Sequence, residues 1–286
     1  MVKVLILGAH GQLGRQFLKE KIQFPELNVI GLAKAELDLC DFKLVQLKLK
    51  EINPDVVINC SGYTAVDLAE VETEKARQIN AEIPGHLASV CENMNIRLIH
   101  FSTDYVFDGK LNRAYTEMDS THPLNVYGKT KLEGEKRVME NCSQSLVIRV
   151  AWLFSAQGKN FFLSMLRLGR EKQELNIVDD QISSPTYAGF LAKDVFSLIS
   201  NLAEGNDMPL GLFHYSCSGT CSWREFAQAI LTLDGSDCKV NAISSEDFGA
   251  AAARPSFSKL DNTNWIRMSA LPSRYWHDGL DECYSD

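Results

Sequence analysis

The sequence predicts an α/β protein: a doubly wound parallel sheet over residues 1–170 and a smaller lobe over 171–286. Three observations carry that prediction. Short, continuous apolar runs (residues 2–7, 28–32, 56–59, 97–101 and 146–149) alternate with helix-periodic segments, the pattern of strands buried on both faces of a parallel sheet. The first run goes straight into Gly8-x-x-Gly11-x-x-Gly14 and then a helix. After about residue 170 the alternation gives way to shorter, more polar segments.

The elements follow in order. Gly8, Gly11 and Gly14 lie between the first strand and a helix that begins near Leu13. Glycines in that place allow a tight turn, let backbone N–H groups approach a pyrophosphate, and let the helix pack on the strand. This stretch is therefore expected to hold a dinucleotide. The second strand, 28–32, ends at Ala33-Lys34, where NAD-preferring sites carry an acid for the ribose 2′-hydroxyl. Ala33 and Lys34 repel no 2′-phosphate, which leans toward NADPH; Glu36 and Asp38 nearby keep NADH open. Asp41 can cap the helix over 42–52 or, with Phe42, border an adenine. The third strand leads into Cys60-Ser61-Gly62-Tyr63-Thr64, a loop at the carboxyl end of a strand, where such sheets bind ligands. A Glu-rich helix over 70–78 and a second helix to about Asn93 follow. The fourth strand delivers Ser102-Thr103-Asp104-Tyr105. A long loop over 106–126, read as poor in core residues, ends at Tyr127, which opens a helix.

The fifth strand runs into Trp152, and Asn160 either caps the next helix, which ends near Arg170, or touches substrate. Beyond it come a strand over 175–178, a polar turn through Asp180-Gln181 and Ser184-Pro185-Thr186, a helix over 187–202 and a strand over 212–216. Residues 187–216 are expected to return to the first unit. Ser222 and Glu225 form a capping box for a helix to about Leu233. The last fifty residues read as irregular, with the Ala250–Ala253 run and Arg254-Pro255 their most distinct feature.

Composition narrows the function classes. Of 286 residues, 45% are apolar and 23% charged, as in ordinary globular proteins. The net charge of −8 carries no offsetting basic run, which argues against a nucleic-acid or anionic-membrane partner. The N-terminus enters a strand rather than a signal segment, and no apolar stretch reaches membrane-spanning length, so a cytoplasmic location is expected. The eight cysteines are scattered without a CxxC pair and read as reduced thiols. The six histidines show no metal-binding spacing, and no metal is expected.

Tyr127 and Lys131 stand four residues apart on one helix face, and Thr103 ends a buried strand. A free phenol has a pKa of about 10, and an adjacent ammonium stabilises its phenolate, so Tyr127 is expected to release its proton more readily near neutral pH. Thr103 can hydrogen-bond the same reacting carbonyl oxygen. By themselves these residues are equally compatible with a solvated lysine beside a half-buried tyrosine.

Together, Gly8-x-x-Gly11-x-x-Gly14, Ser102-Thr103-Asp104-Tyr105 and Tyr127-x-x-x-Lys131 resemble the extended short-chain dehydrogenase/reductase family. The strings at 102–109 and 123–135, Asp180-Gln181 with Ser184-Pro185-Thr186, and Ala253-Arg254-Pro255 are similar to its branch of dTDP-sugar reductases, from residue 2 to about 260. The resemblance implies a Rossmann fold and hydride transfer from NAD(P)H to C4 of a dTDP-linked 4-keto-6-deoxyhexose. It implies Tyr127 as proton donor, Lys131 at the nicotinamide ribose and Thr103 on the carbonyl. Gly11, Gln12 and Leu13 would line the pyrophosphate, Asp41 and Phe42 the adenine end, and Gly62, Tyr63 and Thr64 the nicotinamide-side ribose. Asp104 and Trp152 would border the sugar, and Arg254 would meet the substrate diphosphate with a bidentate fork. Some relatives dimerise through a metal near the first helix; Arg15-Gln16 supplies no carboxylate there, and a homodimer stays open.

Two alternatives accompany this reading. A nucleotide-sugar dehydratase of this fold needs an acid where Tyr105 follows Asp104, and an epimerase is a further neighbour. A non-catalytic NAD(P)-binding regulatory subunit is the alternative from outside enzymes.

Overall fold

The computed structural model describes residues 1–286. The apolar runs become β1 (Val2–Leu7), β2 (Leu27–Leu32), β3 (Val56–Asn59), β4 (Arg97–Thr103) and β5 (Ser145–Val150). Short strands follow: β6 (Leu153–Phe154), β7 (Glu174–Val178), β8 (Ile182–Ser183), β9 (Thr186–Tyr187), β10 (Gly211–Tyr215), β11 (Cys221–Ser222) and β12 (Lys239–Ile243). The main helices are α1 (Gln12–Glu20), α2 (Phe42–Ile52), α3 (Val66–Ala69), α4 (Thr73–Arg77), α5 (Ile83–Asn93), α6 (Val126–Asn141), α7 (Phe161–Glu171), α8 (Ala188–Ala203), α9 (Trp223–Leu233), α10 (Ser245–Phe248), α11 (Thr263–Ser269) and α12 (Trp276–Ser285). No helix is long and apolar enough to cross a membrane.

Six strands make one parallel sheet in the order β10-β5-β4-β3-β1-β2. Successive residues of β1 feed opposite faces: Val4 and Ile6 join the core under α1 and α8, while Leu5 and Leu7 join that under α2, α5 and α6. The chain goes from β1 outward to β2, then crosses back to β3 on the other side of β1. The crevice of a doubly wound sheet opens at such a reversal. Gly8 makes it usable: it sits at φ +75°, and a Cβ there would lie 2.9 Å from the backbone nitrogen of Ser61, at the end of β3.

The Glu-rich segment read as one helix over 70–78 is broken. α3 and α4 lead into a π-helical turn, Gln78–Glu82, before α5. Pro84 is the physical cause: it has no N–H to give the carbonyl of Asn80, four residues back. That carbonyl is where α6 docks, and a Cβ built on Gly134 would stand 2.0 Å from the Asn80 oxygen. The Asn80 side chain ties the junction together, accepting from the Tyr63 N–H at 2.8 Å and donating to Thr130 Oγ1 at 3.1 Å.

Two further expectations differ from the structure. The loop over 106–126 is not poor in core residues: Val106, Phe107 and Tyr115 are buried, and the last two rings stack at 4.2 Å. The last fifty residues are not irregular, because β12 pairs in parallel with β7 and three helices follow. β12 has no fully buried residue and only Val240 and Ile243 half-buried, too weak an apolar signal to read as a strand. β10 lies beside β5 in the large sheet and α8 packs on α1, so the chain leaves the sheet after β5 and re-enters it. A separate core surrounds Phe154, Phe162, Phe226 and Trp276.

Candidate active site

The carboxyl ends of β1, β3 and β4 open into one cavity of about 560 Å³. Gly11, Gln12 and Leu13 line it from the first turn, Gly62 and Thr64 from the loop after β3, and Thr103 and Asp104 from the end of β4. Tyr127 and Lys131 line it from α6, and Trp152 stands opposite. Most of the sequence-predicted residues therefore meet in one place.

α6 starts where it does because Asn125 caps it, accepting from the Gly128 N–H at 2.7 Å. Asn125 also donates to the carbonyl of Ala253 at 2.7 Å, so the cap ties the helix to the C-terminal lobe. One turn apart on that helix, Tyr127 and Lys131 reach the cavity together. Lys131 is buried and donates to the Phe101 carbonyl at 2.5 Å. Burial pulls its ammonium down to about 8, opposed by Glu135. Burial pushes the Tyr127 phenol up to about 12, with Thr103 pulling the other way. The expected lowering of Tyr127 by the neighbouring ammonium is thus not what the structure shows, because desolvation dominates and Lys131 is turned to the Phe101 carbonyl. A phenol that keeps its proton at neutral pH is suited to giving it to an alkoxide.

Thr103 Oγ1 donates to Asp104 Oδ1 at 3.2 Å, and Asp104 Oδ2 accepts from Ser258 Oγ at 2.5 Å. Asp104 is buried, and burial pushes its carboxyl up to about 7 against those two hydrogen bonds. Trp152 adopts φ +43°, strained for a bulky side chain. Its ring stacks on Trp223 at 3.6 Å and 12°, and the Trp223 indole N–H donates to Gln181 at 3.2 Å. Asn160 caps α7, accepting from the Leu163 N–H at 3.1 Å, and it also lines the cavity.

Two of the predicted placements differ. Arg254 is not on the cavity wall; its guanidinium forks the Asp67 carboxylate at 2.7 and 3.0 Å, pairing the lobe with α3. The Tyr63 side chain points away from the cavity, donating to Glu72 at 2.7 Å. Asp41 takes one of its two expected roles, capping α2 by accepting from the Leu44 N–H at 2.9 Å, and Phe42 stacks on His86 at 4.2 Å; neither residue lines this cavity.

Sequence reasoning passed over Trp223, Lys159 and Ser258, and left Asn80 out of the site as a residue that either orients Lys131 or fills a helix junction. Trp223 carried a signal, since the Ser222–Glu225 capping box places it at the first position of a helix. Lys159 is exposed on the cavity wall and makes no ion pair; it and Lys131 are the two ammonium groups there. Ser258 and Asn80 carried no local signal, because their partners come from distant segments.

Comparison with known proteins places this geometry. The family model described as RmlD substrate binding domain matches residues 2–286. The spore coat polysaccharide biosynthesis protein SpsK of Bacillus subtilis is 36% identical, the match covering 99% of this chain and 96% of the relative. A dTDP-4-dehydrorhamnose reductase of Aggregatibacter actinomycetemcomitans is 35% identical, over 98% of this chain and 97% of its own. The crystal structure of dTDP-4-dehydrorhamnose reductase from Bacillus anthracis, in complex with NADP, superposes with a TM-score of 0.91 at 36% identity, covering 100% of this chain and 99% of that one.

Proposed function

The chain belongs to the RmlD substrate-binding-domain family, and from that premise we propose that it reduces dTDP-4-dehydro-L-rhamnose to dTDP-L-rhamnose with NADPH. The observation that carries the reading is a single cavity that brings Thr103, Tyr127, Lys131 and Trp152 against the glycine turn at a strand-order reversal.

A dinucleotide fits the residues present. The turn at Gly8 is open where a Cβ would collide with Ser61, and the first N–H groups of α1 face the same cavity. Gly11, Gln12 and Leu13 would hold its pyrophosphate, Gly62 and Thr64 its nicotinamide-side ribose, and Asp41 and Phe42 its adenine end. The acids near the ribose position are already engaged: Glu36 accepts from the Ala33 N–H at 2.9 Å and Asp38 from the Cys40 N–H at 3.0 Å. Lys34 is exposed beside Asp38 and forms no ion pair, which favours a 2′-phosphate.

When bound, the cofactor supplies a hydride to C4 of the sugar. Tyr127 gives its phenolic proton to the oxygen at C4, and Thr103 hydrogen-bonds that oxygen as its charge develops. The Lys131 ammonium lowers the cost of the phenolate left behind. Trp152 provides an apolar wall for the sugar, and Asp104 borders it. Lys159 is the cation we assign to the substrate diphosphate, in place of Arg254, whose guanidinium is committed to Asp67.

We assign cofactor binding to residues 1–170 with 187–216, and substrate binding to the remainder. Tyr105 in place of an acid disfavours a dehydratase, and the complete Thr103, Tyr127 and Lys131 set disfavours a non-catalytic subunit. Eight free thiols support a cytoplasmic location, and the SpsK relative supports a role in polysaccharide synthesis.

The test is NADPH oxidation at 340 nm with enzymatically prepared dTDP-4-dehydrorhamnose. Wild type should turn over, and Tyr127→Phe should lose about 10²–10⁴-fold in kcat while still binding NADPH. Folded wild-type protein that binds NADPH yet never oxidises it with this substrate would overturn the assignment.

A further inference from the structure

On the face of the sheet under α6, the residues nearest the strand ends are polar rather than apolar. Ser102 on β4, Arg149 on β5 and His214 on β10 are register partners across three adjacent strands, and all three are buried. Glu135 comes down to them from α6, where it continues the face of Tyr127 and Lys131 at four-residue steps. It is fully buried.

The hydrogen bonds leave no choice of arrangement. Arg149 forks Glu135, donating from Nε to Oε1 at 2.9 Å and from Nη2 to Oε2 at 2.7 Å. Ser102 Oγ donates to the same Oε1. His214 lies between a group that only donates and one that only accepts. Its Nε2 therefore accepts from Arg149 Nη1 at 3.3 Å, and its Nδ1 donates to the Tyr115 carbonyl at 3.0 Å. Neutral His214 thus leaves the Arg149 charge to Glu135 alone. The network joins α6, β4, β5, β10 and the loop that leads to the Asn125 cap.

We infer that Glu135 is a positioning residue for the reduction: clasped by Ser102 and Arg149, it fixes the α6 face that carries Tyr127 and Lys131 over the end of β4, and, although ion-paired with Arg149, it is also a counter-charge for the Lys131 ammonium one turn away. The first half rests on the reductase reading of the cavity; the second does not. Ser102 immediately precedes Thr103, so the clasp grips β4 one residue from the hydroxyl that faces Tyr127. The charged or titratable groups around Lys131 are Tyr127 and Glu135 on its own helix, His100 and Asp104 from β4 and its end, and Arg149 from β5. Of these, His100 is held neutral by burial, Asp104 titrates near 7, and Arg149 is cationic. Glu135 therefore supplies the favourable field on Lys131, as its upward pull on that ammonium reflects.

The experiment has two arms. In the first, lysine is ¹³C-labelled, the Lys131 resonance is assigned by its loss in Lys131→Met, and its titration is followed without substrate. The wild-type midpoint is expected near 8. In Glu135→Gln it should fall by about one pH unit, and in Glu135→Asp it should stay. An unmoved midpoint in Glu135→Gln overturns the counter-charge. The second arm measures NADPH oxidation, where Glu135→Gln should lose about tenfold in kcat at neutral pH, with its alkaline limb displaced downward and Glu135→Asp largely restored. Glu135→Gln with wild-type kcat and limb overturns the positioning role. Should Glu135→Gln not fold, Ser102→Ala decides that role: it keeps the ion pair, so the Lys131 midpoint stays and kcat falls severalfold at unchanged NADPH affinity. Wild-type kcat in Ser102→Ala would overturn it. If the midpoint shifts while wild type itself never turns over, the reductase reading has failed and the counter-charge stands.

Discussion

Gly134→Ala adds one methyl group about two turns from the reacting centre, and the structure gives it a large effect on rate. The Cβ would lie 2.0 Å from the Asn80 carbonyl oxygen, where Cβ atoms essentially never approach closer than 3.0 Å, so α6 must back away by about 1 Å. The carbonyl cannot yield easily, because Asn80 is fully buried and its side chain is bonded to Tyr63 and Thr130. Two opposing effects set the stability. Overpacking costs about 1–3 kcal/mol, while alanine in a helix is worth about 1 kcal/mol over glycine. The net loss is about 0–2 kcal/mol, which a protein of this size survives. The rate has no such compensation, because displacing the helix moves Tyr127 and Lys131 together, and a misplacement of about 1 Å at a reacting centre costs about 100-fold. The assay pairs kcat for NADPH oxidation with the urea midpoint. A kcat loss near 100-fold with a small loss of stability is expected. A variant within twofold of wild type in kcat would refute the claim that the Gly134–Asn80 contact sets the height of α6.

Two other outcomes follow from the same geometry. The Asp104 carboxyl lies at about 7 when folded, against an ordinary 3.8, so the native state holds its proton more tightly than the unfolded chain. Its contribution is full below pH about 4 and is lost as pH rises to about 7; Asp104→Asn should therefore gain stability relative to wild type between pH 5 and 8 in urea unfolding, and a constant difference across that range would contradict the buried carboxyl. Trp223→Ala withdraws the ring stacked on the strained Trp152, so KM for the sugar nucleotide should rise about tenfold or more while NADPH affinity holds; equal losses in both would mean the stack merely supports the fold.

Much of the cofactor half was legible because its signals are local. A continuous apolar run, three glycines and a helix sit side by side in sequence, and so do Tyr127 and Lys131. Illegible features depend on pairs brought together from far apart. Pro84 and Gly134 were both visible as residues, yet the π-helical turn and the docking of α6 on it exist only once residues 80 and 134 meet. Arg254 was placed on the substrate diphosphate because nothing in the chain announces that Asp67, 187 residues away, is the carboxylate that takes it. The phenol of Tyr127 was expected to fall because the ammonium is near in sequence; burial, which cannot be read from spacing, pushes it up instead. Trp223 escaped because a tryptophan opening an amphipathic helix looks like core until its ring is found against Trp152.

The pairing of β7 with β12 has a consequence for how the molecule comes into being. Sixty residues separate the two strands, and among them are α8 and β10, which belong to the other sheet. At a ribosomal rate of about 5–20 residues per second, β7 waits about 3–12 s after emerging before its partner has been made. In that interval the large sheet can acquire its last strand, while Trp223 is only just arriving at the end of the gap. A nascent chain released too early would keep an open strand edge on β7, an invitation to aggregation. It would also carry the glycine turn, Tyr127 and Lys131 without the lobe that closes over them. The order of synthesis thus makes the nucleotide half first and leaves β12 and the last three helices to the final fifth of the chain.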